Sequence, residues 1–99
     1  MADSEMGAAM SAGEPADAEG CFGLGMIYSS GAGVTVDLVQ AHMWFNIAAM
    51  RSHKDAARLR REIAEQMSDG EIGSAQRAAR AWLKSHPQPA PVVEIRAAA

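Results

Sequence analysis

Lysine and arginine are missing altogether from the first 50 residues of this 99-residue chain, which hold six acids (Asp3, Glu5, Glu14, Asp17, Glu19, Asp37). All nine bases fall in residues 51–99 beside six acids, so the halves are formally −6 and +3 and the whole is −3. That balance is on the wrong side for a nucleic-acid domain. It reads either as a molecule with an acidic and a basic end or as solvated surface plus an acidic tail. Cysteine is nearly absent: the lone Cys21 allows no internal disulfide and supplies no pair for a thiolate metal site. No apolar run approaches the roughly 18 residues of a membrane span. The longest candidate, residues 43–50, is broken by Asn46. The opening MADSEMG lacks a basic and an apolar export region, so the expected compartment is the cytoplasm. Large aliphatics are also scarce, with Leu, Ile, Val and Phe numbering 16 against 21 alanines. Such a chain builds a core from closely packed small helices more readily than from a sheet sandwich, and 99 residues suffice for one small domain at most.

What the chain does have is helical periodicity. Residues 1–14 mix Ala, Gly, Ser and acids without period and read as a flexible tail. Pro15 suits a first helical turn. Ala18, Cys21, Phe22, Gly25 and Met26 then make one helical stripe, with Leu24, Ile27 and Tyr28 a second beside it. Gly31 is a candidate for the left-handed position that ends this helix. A second helix follows from Asp37, which with Gln40 has capping-box spacing, and carries Leu38, Ala41, Trp44, Phe45, Ala48 and Ala49. Ser52 and Asp55 are restart signals for a third helix that buries Ala56, Leu59, Ile63 and Met67 and turns Arg58, Arg60, Arg61, Glu62 and Glu65 outward. The box Ser68-x-x-Glu71 opens a fourth with Ile72, Ala75, Ala79, Trp82 and Leu83 inward. Pro87, Pro89 and Pro91 then favour an extended tail, in which residues 92–95 are strand-like but more in keeping with a disordered terminus. The resulting division is 1–14 tail, 15–52 first hairpin, 53–86 second hairpin and 87–99 proline-rich tail.

The two hairpins share a register. An offset of 38 carries Ala18 to Ala56, Ala41 to Ala79, Phe45 to Leu83 and, most tellingly, Trp44 to Trp82, the only two tryptophans. A period in this range marks stacked helical hairpins. The combination of Ala18, Leu24, Gly25, Tyr28, Gly31, Gly33, Asp37, Ala41, Trp44, Ala48 and Ala49 closely resembles the Sel-1-like repeat, a relative of the tetratricopeptide repeat. The second hairpin resembles the degenerate segment that closes such arrays, keeping mainly Ala56, Ala79 and Trp82. The resemblance implies an all-α fold, two antiparallel helical hairpins stacked as a short tetratricopeptide-like α-solenoid. It also implies adaptor or scaffold work, with shallow surfaces that hold partner proteins in signalling or quality-control assemblies.

Residue chemistry adds little to rival that reading. Gly23-x-Gly25 lacks a third glycine, Gly31-Ala32-Gly33 is not followed by Lys-Ser/Thr, and Ser29 and Ser30 stand in no nucleophile elbow. His42, His53 and His86 lack metal-ligand spacing, so neither a metal nor a cofactor is expected. Two alternatives remain open. One is a small thiol enzyme in which Cys21 meets His42 or His53, against the plainer reading of a buried structural thiol. The other is a nucleic-acid surface made by Arg51, Lys54, Arg58, Arg60 and Arg61, against the plainer reading of a solvated face with Arg58–Glu62 and Arg61–Glu65 pairs. The expected partner is another protein, with self-association a further option, and neither nucleic acid nor membrane. The candidate contact surface is Leu24, Ile27 and Tyr28 of the first helix with Met43 and Met50 of the second, methionines whose alternative use is filling the core.

Overall fold

The computed structural model describes residues 17–87, so both expected tails, Pro15 and the 92–95 stretch lie outside the described residues. Four helices follow in order: α1 (Ala18–Ser30), α2 (Leu38–Met50), α3 (Ala56–Ala64) and α4 (Asp69–Ser85). Local chemistry sets most of their ends. The Gly20 amide donates to the Asp17 carboxylate at 2.9 Å, which starts α1 one residue before Ala18. Gly31, at φ 78°, closes the same helix by donating its N–H to the Ile27 carbonyl at 2.9 Å. Asp37 caps α2 by accepting from the Gln40 amide at 3.1 Å. The expected box at α4 is complete: the Glu71 amide donates to Ser68 Oγ at 3.1 Å and the Ser68 amide to Glu71 Oε1 at 2.8 Å.

The start of α3 differs from the expectation. Asp55 precedes the helix but makes no side-chain capping bond, and Ser52 takes a left-handed φ of 74° in the connection. The Asp55 amide donates instead to His53 Nδ1, at 3.2 Å.

The organising element is α2. It carries no charged residue, and Ala41, His42, Met43, Trp44, Phe45, Ile47 and Ala48 are all buried, so it is covered nearly all round rather than along one stripe. It packs against α1, α3 and α4, whereas α3 and α4 touch each other only slightly. The core accordingly divides around α2. On one side Cys21, Trp44, Ile47, Ala48, Ala56, Ala75 and Ala79 form a cluster; on the other, Ala41, Phe45 and Ile63. Close approach at the α1–α2 crossing depends on Gly25, where a Cβ would sit 2.5 Å from two ring carbons of Phe45. The two register-matched tryptophans meet directly, edge to face at 5.4 Å. No strand occurs among the described residues. The described residues are all-helical and stack as a short helical-repeat solenoid.

Candidate functional site

Apolar side chains left in solvent are the first place to look for a binding surface. Along α1, Cys21 and Gly25 point into the core and Leu24 and Tyr28 are half-buried against it. The second stripe expected on this helix is therefore split. Ile27 is left 36 % exposed, and its neighbour Met26 is 43 % exposed. Between them and Glu19 lies Gly23, where a Cβ would meet nothing within 4 Å. The outer side of α1 is thus a shallow, mostly uncharged strip: Glu19 at its N-terminal end, bare backbone at Gly23, then two large apolar side chains. The methionine pair also divides. Met43 is 8 % exposed and belongs to the core, while Met50 is 62 % exposed at the end of α2. Their seven-residue spacing puts both on one face of the helix, yet that face is covered only along the part of α2 that lies under its neighbours.

The loop after α1 extends this strip. The Ala32 amide donates to the Ile27 carbonyl at 3.3 Å and the Asp37 amide to the Tyr28 carbonyl at 3.0 Å, which folds residues 31–37 against the end of the helix. Val34 and Val36 are exposed on it. Gly31 and Gly33 both take φ near 80°, values that side chains with a Cβ rarely adopt, and they allow this tight return.

The chemically reactive candidates are placed otherwise. Cys21 is fully buried, and burial pushes its thiol up, with Asp17 adding to the effect and Arg51 opposing it. Among the described residues neither His42 nor His53 hydrogen-bonds its sulfur. A thiol kept protonated inside a core is a poor nucleophile. His53 stacks flat on Phe22 at 3.9 Å and lines an open cleft of about 390 Å³ with Glu19, Phe22, Lys54 and Asp55. Its Nδ1 accepts from the Asp55 amide, which leaves the proton on Nε2, 3.3 Å from Glu19 Oε1. With both nitrogens engaged the ring is a fastener between α1 and the α2–α3 connection. His42 is 3 % exposed with no hydrogen-bond partner for Nδ1, and burial first and Arg60 second hold its pKa down. No group of three or more candidate metal ligands occurs among the described residues.

The basic stretch before and along α3 is dispersed. The Arg51 guanidinium lies 5.1 Å over the Trp82 ring and donates to the His86 carbonyl, and the His86 ring stacks on the same Trp82 ring at 4.0 Å. Arg60 donates to Asn46 Oδ1 at 2.7 Å, half-buried rather than turned to water as expected. Arg58 pairs with Glu62 at 3.3 Å, whereas Arg61–Glu65 does not close. The cations that do stand together are ones the sequence reading passed over: Arg77, Arg80 and Lys84 on the outer side of α4, exposed and without an ion pair among the described residues. Their spacing of three and four was the available signal.

Comparison with known proteins fits the placement of the repeat residues. Residues 18–53 match the family model of the Sel1 repeat. No curated protein and no solved structure matches the chain. The matched segment contains α1, the glycine-rich turn and α2, in which Gly25, Ala41, Trp44 and Ala48 are buried, Tyr28 and Ala49 partly so, and Asp37 caps the second helix. No helix among the described residues is long and apolar enough to cross a membrane. That segment, about a third of the chain, is what the chain shares with the Sel-1-like repeat family.

Proposed function

We propose that this chain is a protein-interaction module, a small adaptor that engages partner proteins through the outer side of α1 and has no catalysis of its own. The Sel1 repeat suggests the class of work, and one observation carries the choice of surface: Met26 and Ile27 remain 43 % and 36 % exposed on the face of α1 that also carries Gly23, where a Cβ would meet nothing within 4 Å. A helix of a partner can approach closely at Gly23 while the two large side chains flank it. Leu24 and Tyr28 support that strip from beneath, and Met50, at the far end of α2, is a separate and smaller contact. The second hairpin completes the two-hairpin stack, with a charged outer side on α4.

The test is affinity capture from native cells with the parent chain and Ile27→Lys, read by quantitative mass spectrometry. A partner seated on this strip must bury the new ammonium, and an unsatisfied buried polar group costs about 1–3 kcal/mol or more. Because 1.4 kcal/mol is tenfold in Kd, a loss of about fivefold to a hundredfold or more is expected for the specific partners, with an unchanged circular dichroism spectrum. Equal capture by both chains would remove the outer side of α1 as the binding surface.

A further inference from the structure

The interaction reading leaves open what sits on α1, and the charge distribution singles out one occupant. Among the described residues, 17–50 hold three acids and no base, while 51–87 hold eight bases and five acids. The two segments therefore carry −3 and +3. The negative segment displays the strip of Glu19, Gly23, Met26 and Ile27. The positive segment displays α4, whose outer side carries Arg77, Arg80 and Lys84 among small residues such as Ser74 and Ala81 and no large apolar side chain; the Arg77 guanidinium donates to Ser74 Oγ at 3.4 Å. The strips complement each other in charge: one has exposed apolar side chains and Glu19, an exposed acid that also meets His53 of its own chain at 3.3 Å, and the other has three exposed cations with no ion pair among the described residues.

Distances along the helices agree. Glu19 and Ile27 are eight residues apart, about 12 Å at 1.5 Å per residue. With α4 of a second copy laid antiparallel, Glu19 falls opposite Arg80 and Lys84. Ile27 then falls near Ser74, six residues or about 9 Å before Arg80. The antiparallel arrangement also opposes the two helix dipoles favourably. A symmetric α1–α1 pairing would instead bring two ends of like charge together.

We infer that α1 of one copy docks on α4 of a second copy, head to tail, through Ile27 and Met26 on the small residues of α4 and Glu19 on Arg80 and Lys84. This rests on the interaction reading and names its partner. A contact between different surfaces builds either a ring, where its rotation closes, or an open chain with a free α1 and a free α4 at the ends. The contact is one helix face wide, at the small end of specific interfaces, so association belongs to concentrations of roughly 0.1–1 mM.

Sedimentation or light scattering over that range tests it with three chains: the parent, Ile27→Lys, and Arg80→Glu/Lys84→Glu, each checked for helical content. The parent is expected to rise above the 10.4 kDa monomer, and more so at low salt. Each variant alone should lose that rise. Mixed in equal amounts, the variants should form a dimer and nothing larger, because each supplies the surface the other has lost. A parent that stays monomeric overturns the inference, as does a mixture that stays monomeric. Self-association of Arg80→Glu/Lys84→Glu equal to that of the parent overturns it too, by showing that α4 is not the counterpart. The capture experiment above stands apart: foreign partners lost on Ile27→Lys would uphold the interaction reading even where self-docking fails.

Discussion

At the scale of single residues, the two glycines in the middle of α1 do opposite things. Glycine in a helix interior costs about 1 kcal/mol relative to alanine. At Gly23 nothing repays that cost within the folded chain, since a methyl group there would meet nothing within 4 Å. Gly23→Ala is therefore expected to raise stability by about 0.5–1 kcal/mol in denaturant unfolding. At Gly25 the methyl would sit 2.5 Å from the Phe45 ring, which is itself only 1 % exposed and has nowhere to retreat. Gly25→Ala is expected to lower stability by about 1–3 kcal/mol, the range for overpacking a core. Equal effects of the two substitutions would show that the α1–α2 crossing is looser than described.

At the scale of elements, the joint between α2 and α4 is aromatic. Trp44, 9 % exposed, meets Trp82 edge to face, while Arg51 and His86 lie against the Trp82 ring. Trp44→Ala is expected to cost about 3–5 kcal/mol, the range for deleting a large buried aromatic. The melting temperature measures it, and a shift of only a degree or two would mean that α4 is held by other contacts. The coincidence of the two tryptophans under an offset of 38 was legible in the sequence, and so were all four helices, because stripes at i, i+3, i+4 and the Ser68–Glu71 box are local signals. At α3 the sequence marks the starting position, Asp55, but not the capping bond, since the His53 ring that takes the Asp55 amide is positioned by stacking on Phe22, 31 residues away. The candidate surface was half legible. Spacing marks Leu24, Ile27 and Tyr28 as neighbours, but only the crossing with α2 decides that Leu24 and Tyr28 turn inward and Ile27 stays out. The same holds for Met43 and Met50. That Arg77, Arg80 and Lys84 are exposed with no ion pair among the described residues needed the fold as well, because cations of this spacing are commonplace.

At the scale of the whole molecule, stability is tied to pH through His42. Its pKa is held below the ordinary value of about 6.5 by burial and then by Arg60 on α3, so the folded chain resists a proton that the unfolded chain accepts. The contribution is complete above about pH 6.5 and is lost as the pH falls from there through the lower folded value. His42→Leu should remove that component and leave unfolding midpoints flatter between about pH 7 and 5; a parent and variant that decline in parallel would assign the dependence elsewhere. His42 lies on α2, the helix against which α1, α3 and α4 all pack. Because α3 and α4 lean on α2 far more than on each other, the repeat boundary near residue 53 is not a folding boundary. Neither hairpin is a detachable half: cutting the chain there strips α2 of two of its three neighbours and strips α3 and α4 of the surface that holds them together. Cooperativity in this small molecule is that of a hub with three spokes, in which the loss of any spoke is felt by the others through one uncharged helix.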